Sequence, residues 1–344
     1  MRVAIATTQV PFLSGGAEAL AGGLREALVR RGHEAEIVTL PFRFFPPEEV
    51  SRGLRAWEAE DFMRLNLYEP HHVICLKFPA YGLAHPRKSL WLCHQHRAAY
   101  DLFDAARATE ADRALRDEVT AFDRRHLAEV SPRRTISKRV SDRLRTATGI
   151  DSAPLYHPPP DAPHLYCEKA QPYVFFPSRI EDAKRQELLV RAMALTHAPV
   201  HAVFAGLGGQ LDAMHKLVAS LHLESRVRFL GHVSREERLA LFAHCAMVFF
   251  GPRDEDYGYV TLEAMLSSKP VITCRDSGGP LEFVADGETG LVCEPDPLAV
   301  ARAIERLTAA PDLAARMGRA GRDLANTLLP SWDTVVDSLL VARD

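Results

Sequence analysis

The sequence is poor in several features that would decide its class at once. Its six cysteines (Cys75, Cys93, Cys167, Cys245, Cys274 and Cys293) never fall into C-x-x-C spacing. Most lie inside apolar runs, where a free thiol behaves as a small hydrophobe, so structural zinc is excluded and a reducing compartment is expected. No stretch approaches the roughly 20 apolar residues of a membrane span. The opening "MRVAIATTQVPFLSGG" has one basic residue and a short apolar run that reads as a strand, not a leader. The expected location is therefore the cytoplasm, and any membrane contact is peripheral. No tandem repeat and no biased tract argues for a solenoid, fibre or disordered chain. Neither charge sign dominates: a formal net charge of -3 gives no reason to expect a nucleic-acid partner.

What is present is an ordinary globular composition, 47% apolar and 25% charged, spread over 344 residues. Single cores stop growing near roughly 250–300 residues, so two domains are expected. The small net charge hides an asymmetry: residues 1–150 carry 23 Lys and Arg against 19 Asp and Glu, a balance of +4 that leaves -7 for 151–344. The excess gathers in "DRRHLAEVSPRRTISKRVSDRLR", residues 123–145, where eight cations face three acids. A solvated helix face with its loop is one reading of this run. A surface drawn to anionic headgroups at the inner face of the cell membrane, or to an acidic acceptor, is the other.

Along the chain, short β-like runs alternate with helical patterns: "RVAIATT", the helix-like "AEALAGGLREALVRRG", "AEIVTL", "HHVICLKF", "SLWLCHQ", a helical region over 100–130, and "RTIS". Strands alternating with helices imply parallel βαβ layering. The proline-dense "LYHPPPDAPHLY" (155–166) can continue neither a helix nor a central strand and reads as an interdomain linker. Beyond it "YVFFPSR", "VHAVFAGLG", "VRFLGHV", "AMVFFGP", "PVITCRD" and "GLVCEP" repeat the rhythm as a second doubly wound sheet. The expected fold is α/β, with a Rossmann-like domain over 1–157 and another over 158–328. A terminal helix near 329–344 is expected to pack back on the first.

Ligands in open α/β sheets sit beyond the carboxyl ends of the strands, so chemistry is sought just after each one. In "VFFGPRDEDYGYVTLEAM" a strand ends near Phe250, a loop carries Glu255, and a helix begins near Gly258 and Tyr259. Helix N-termini offer unpaired N–H groups and a positive dipole end, which suit phosphate. Gly258 lets a bulky group approach the backbone. Carboxylates accept paired hydrogen bonds from vicinal hydroxyls, so Glu255 and Glu263 are placed to bracket a nucleotide sugar; a surface helix with acids near its start is the plainer reading. In "SRIEDAKRQ", Arg179 and Lys184 stand where a diphosphate would need neutralising. "FAGLGG" around Gly206 lacks the G-x-G-x-x-G register and says only that backbone comes close to something. In the first half, Gly15 and Gly16 lie on a loop entering a helix, and His94 ends a strand in "LWLCHQHR"; a tight turn and an ordinary satisfied histidine are the plainer readings there.

Together these segments resemble the retaining glycosyltransferases of family 4, a GT-B group that transfers sugars from nucleotide diphosphates. The resemblance rests on "EDYGYVTLEAM", similar to that family's E-x7-E element, and on "SSKPVITCRDSGGPLEFVADGETGLVCEPDP", and extends to "SRIEDAKRQ", "FAGLGG", "SGGAE", "WLCHQHR" and "SWDTVV". It implies two Rossmann-like domains facing across a cleft. It implies Glu255 on the donor sugar, Glu263 on the ribose, and amides of Gly258, Tyr259 and Val260 on the distal phosphate and hexose. Arg179 and Lys184 would face the diphosphate, Gly16 with its neighbour Gly15 would meet it from the other lobe, and His94 would stand beside the transferring carbon. Backbone at Val233 in "GHVSREE" would meet the base. The implied co-substrate is a UDP- or GDP-linked hexose, the acceptor a glycan, lipid-linked carrier or small molecule, and no bound metal or other cofactor is required; no D-x-D is read at a strand end. Gly251-Pro252, where many relatives carry proline-serine, departs from the pattern. A catalytically silent nucleotide-sugar binder and a GT-B-like sugar-nucleotide epimerase are the alternatives.

Overall fold

The computed structural model describes residues 1–12, 15–64 and 68–340. The chain divides into two compact units, Met1–Pro160 with Pro330–Asp344, and Asp161–Leu329.

The first unit is built from β1 (Arg2–Gln9), α1 (Gly16–Arg30), β2 (Glu34–Pro41), α2 (Pro47–Ala59), β3 (His72–Cys75), β4 (Lys88–Leu92), α3 (Glu110–Glu129), β5 (Arg133–Thr135), α4 (Lys138–Thr148) and β6 (Ala153–Pro154). Among the described residues its sheet runs β2-β1-β3-β4-β5-β6, with every pairing parallel. A parallel strand is covered on both faces and so reads as a continuous apolar run; Val3–Ala6, Val73–Leu76 and Leu90–Leu92 are all buried. Strand order reverses between β1 and β3, which places the crevice of this unit after those two strands. The helical region expected over 100–130 forms α3 only from Glu110, where Thr109 accepts from the Asp112 N–H as N-cap.

The basic run 123–145 is not a uniform charged face. Asp123 is fully buried and accepts from Tyr81 (2.5 Å) and Tyr100 (2.7 Å). Arg133 donates to the carbonyls of Leu127, Val130 and Asp151. Arg143 is buried, and Arg125 with His126 grips Glu58. Several of its cations therefore tie the fold together.

The second unit contains β7 (Tyr173–Pro177), α5 (Gln186–Leu195), β8 (His201–Ala205), α6 (Leu211–Ser220), β9 (Val227–Phe229), α7 (Arg235–His244), β10 (Met247–Phe249), α8 (Tyr259–Leu266), β11 (Val271–Cys274), β12 (Gly290–Cys293), α9 (Pro297–Ala309) and α10 (Pro311–Leu328). Its parallel sheet runs β12-β11-β10-β7-β8-β9 among the described residues. Here the order reverses between β7 and β10. The core is aromatic: Phe175, Phe176, Phe204, Phe242, Phe249 and Phe250 are buried, and the Phe176 ring meets Phe249 edge-on at 5.5 Å.

The chain then returns to the first unit as α11 (Trp332–Leu339), N-capped by Ser331. Trp332 packs edge-on against Trp91 with ring centroids 6.2 Å apart, and Arg31, the C-cap of α1, pairs with Asp337 at 2.5 Å. Of the terminal helix expected near 329–344, residues 341–344 lie outside the described residues.

Candidate active site

The switch point of the second sheet brings together the segments that leave β7 and β10. Glu255 is fixed first by its backbone. Its N–H donates to the Ser277 carbonyl (2.9 Å) and its own carbonyl accepts from Gly279 (2.8 Å), a parallel bridge that extends the sheet beyond β10 and β11. Its half-buried carboxylate pairs with Lys184, which stands on the short helical turn Asp182–Lys184 after β7. The Lys184 ammonium also lies 5.7 Å from the centroid of the Phe250 ring. Two expected site residues, from opposite sides of the switch point, are thus in direct contact.

Gly258 follows at the N-cap of α8 with φ 89°, in the left-handed region. A Cβ there would sit 2.9 Å from Cγ of Pro280, so both conformation and space call for glycine. Tyr259 and Val260 form the half-exposed first turn of α8. The next residue, Thr261, is fully buried, and its Oγ1 has no hydrogen-bond partner among the described residues. Deeper on α8, Glu263 is buried and accepts from Arg238 of α7 at 2.5 Å. Burial pushes the Glu263 carboxyl upward, while the Arg238 guanidinium pulls it back. Arg238 in turn holds Asp161, which also binds Arg235 at 2.5 Å.

Arg179 is exposed just past β7. The buried cation of this turn is its near neighbour Arg185, which the sequence reading passed over. Arg185 donates from Nε to the Gly251 carbonyl and from Nη2 to the Pro252 carbonyl, both at 2.8 Å. It also grips Asp276 with two bonds of 2.8 and 2.7 Å. One guanidinium thereby clamps the loops after β7, β10 and β11 together. Arg185 adopts φ 55°, and Asp254 beside Glu255 adopts φ 47°, both left-handed positions for non-glycine residues. Backbone in such conformations persists only where its surroundings over-determine it, and it concentrates at functional sites. The guanidinium lowers the Asp276 carboxyl below its usual range through direct hydrogen bonds.

The glycine turn after β8 has a local explanation. Gly206 adopts φ 146°, and a Cβ there would fall on the Ser178 carbonyl. What its backbone approaches is the neighbouring 178–180 turn, which Gln186 also holds through Ser178 Oγ (2.9 Å) and the Arg179 carbonyl (2.8 Å). Val233 lies half-buried just before α7, ahead of a capping box in which Ser234 and Glu237 satisfy each other's backbone. One sequence reading needs correcting: Asp254 and Asp256 flank Glu255, so a D-x-D does stand just past β10. Among the described residues, no group of three His, Cys, Asp or Glu is placed to hold a metal ion.

The remaining candidates belong to the first unit. Gly15 is the N-cap of α1, and its N–H is taken by the Glu18 carboxylate at 2.9 Å. The other Glu18 oxygen accepts from the largely buried Lys77, beyond β3, at 2.5 Å. Gly16 is exposed beside this pair, and Ser14 of the "SGGAE" segment lies outside the described residues. His94 follows β4. Its Nδ1 lies 3.0 Å from the Gln95 carbonyl, and since a carbonyl only accepts, Nδ1 carries the proton. His96 is a core histidine: buried, stacked on Phe78 at 5.2 Å, with its pKa lowered to about 4 chiefly by burial. Among the described residues no helix is long and apolar enough to cross a membrane.

Comparison with known proteins bears on this arrangement. Residues 166–324, nearly the whole second unit, match the family model described as "Glycosyl transferases group 1". Over 109 residues the chain is 41% identical to the alpha-1,3/1,6-mannosyltransferase ALG2 of Homo sapiens, a match covering 32% of this chain and 26% of that protein. Over 176 residues it is 33% identical to the D-inositol 3-phosphate glycosyltransferase of Streptomyces avermitilis, covering 47% of this chain and 37% of the relative. The matched region thus spans about a quarter to two-fifths of the length of these relatives. In fold, the chain is similar to Anabaena Alr3699/HepE, solved in complex with UDP and glucose, with TM-score 0.72, 18% identity, and coverage of 98% of this chain and 97% of that one. The fold is GT-B, two Rossmann-like domains each with a six-stranded parallel sheet among its described residues.

Proposed function

With residues 166–324 identified as a group 1 glycosyl transferase domain, we propose that this protein transfers a hexose, with retention of anomeric configuration, from a nucleoside diphosphate sugar to an acceptor hydroxyl. One observation carries the reading: the N-terminus of α8, turned by left-handed Gly258, lies between Glu255 and Glu263 along the chain, at the switch point of the second sheet. A relative named a mannosyltransferase and a neighbour solved with UDP and glucose support a UDP- or GDP-linked hexose as donor. A glycan, a lipid-linked carrier or a small polyol would serve as acceptor.

The diphosphate takes the amides of Tyr259 and Val260, and its growing negative charge in the oxocarbenium-like transition state is met by Arg179 and Lys184. Lys184 exchanges its present partner Glu255 for the phosphate, which frees Glu255 for the hexose hydroxyls. Glu263 takes the ribose. The acceptor attacks on the face the diphosphate leaves, and a donor phosphate oxygen receives its proton. Side chains and helix amides supply the positive charge without a bound metal, so turnover in EDTA should equal that in magnesium.

Release of nucleoside diphosphate from a panel of nucleotide sugars, with and without acceptors, tests the reading. Acceptor-dependent release with retained configuration in the product is expected. Binding without release would indicate a silent partner, interconversion of donors without acceptor an epimerase, and no thermal stabilisation by any nucleotide sugar would overturn the reading altogether.

A further inference from the structure

Glu263 sits where a bare carboxylate is costly: it is only 3% exposed. Its counter-charge comes from Arg238, one turn into α7, whose Nη1 lies 2.5 Å from Glu263 Oε1. The other side of that guanidinium is taken by Asp161, which lies within the proline-rich segment and binds Arg235 through its second oxygen. Two carboxylates and two guanidiniums alternate in the chain Glu263, Arg238, Asp161, Arg235. A carboxylate offers about four acceptor sites. Arg238 occupies one on Oε1, and those left suffice for two vicinal hydroxyls.

We propose that Arg238, itself held by Asp161, is a positioning residue that keeps Glu263 ionised and oriented as the acceptor for the ribose hydroxyls of the nucleotide donor. The proposal rests on the reading of Glu263 as the ribose carboxylate. The charged groups facing Glu263 are Arg238 from α7 and Asp161 from the segment before β7, with Arg235 behind Asp161. Burial and Asp161 both raise the Glu263 carboxyl, and Arg238 alone opposes them. Without Arg238 the carboxylate would take up a proton toward neutral pH and lose acceptor capacity. A role limited to pinning the proline-rich segment to α7 would change the melting temperature and leave the pH dependence of binding alone.

The test is calorimetric titration of UDP and GDP between about pH 5.5 and 8, with each variant compared to the wild type at every pH so that the nucleotide's own ionisation cancels. For Arg238→Met the ratio of variant to wild-type Kd should climb as pH falls, approaching about tenfold per pH unit once the variant's Glu263 takes up its proton while the wild type's stays ionised. Arg238→Lys keeps the charge, so its ratio should exceed one yet stay level. Should Arg238→Met not fold, the charge-balanced Arg238→Gln/Asp161→Asn double variant replaces it with the same expected slope. A level ratio in the folded Met or double variant, or a sloping one in Arg238→Lys, overturns the proposal. Glu263→Gln separates the two readings. Wild-type affinity in that variant defeats the ribose assignment, whereas weak binding there combined with a level ratio at position 238 defeats the positioning role alone.

Discussion

Gly258→Ala concentrates the structural argument in one methyl group. The residue adopts φ 89° at the N-cap of α8, and a left-handed conformation costs an L-residue about 1–2 kcal/mol. The new Cβ would also lie 2.9 Å from Cγ and 3.2 Å from Cδ of Pro280, a ring with little freedom to give, and 3.3 Å from Cε1 of Phe250. Overpacking of this kind costs about 1–3 kcal/mol. The loss of unfolded-state freedom returns only about 0.4–1 kcal/mol. A net destabilisation of about 2–3 kcal/mol follows, or about 4–12 °C in the melting of a unit this size. Relief of the clash tilts the first turn of α8, so the Tyr259 and Val260 amides lose their aim and nucleotide-sugar affinity falls at least about tenfold, roughly one good charge-assisted hydrogen bond. Scanning calorimetry and titration of the same samples provide the measurement. An unchanged melting curve would refute the backbone argument, and unchanged affinity in a destabilised variant would remove the helix N-terminus from donor binding.

Arg185→Ala should destabilise the second unit by about 2–3 kcal/mol, because the Gly251 and Pro252 carbonyls lose a buried charged donor while the nearly half-exposed Asp276 is taken up by water; urea denaturation reads this directly. If Arg179 and Lys184 meet the departing diphosphate as proposed, Arg179→Ala combined with Lys184→Ala should lower turnover at least about a hundredfold, while circular dichroism stays that of the wild type; near-normal turnover would free them of that role. Asp123 supplies a pH signature in the first unit. Burial raises its carboxyl to about 7, above its ordinary value of 3.8, so the folded state holds a proton the unfolded chain has released between those values. Stability therefore falls as pH rises through that window and levels off above it. Denaturation midpoints measured across the window should show this slope in the wild type, and Asp123→Asn should flatten it.

The sheets were legible because parallel strands buried on both faces leave apolar runs between helical stretches, and "YVFFP", "VHAVFA" and "AMVFF" are such runs. β6 was not, being a two-residue edge pairing that ends in proline. α4 hid inside the basic run, where its amphipathic spacing was outweighed by charge. The site divides similarly. Glu255, Gly258 and Glu263 could be read because they frame a strand-to-helix turn. Arg185 could not: "SRIEDAKRQ" offers three cations, and only the left-handed turn at 185 decides which one points inward. Arg238 and Asp161 were hidden for another reason. One lies within a helix whose start reads as an ordinary capping box, the other in a segment that composition marks only as a linker, and their meeting depends on tertiary folding.

The return of the chain as α11 has a practical corollary for recombination. Two junctions, near residues 160 and 330, separate the units. A chimera made by a single splice after residue 160 would inherit its terminal helix from the donor of the other half, and the indole seated against Trp91 would come from a foreign protein. Exchange of specificity between members of this fold therefore calls for transplanting the inserted unit at both seams, leaving the native tail to close the half it was shaped for.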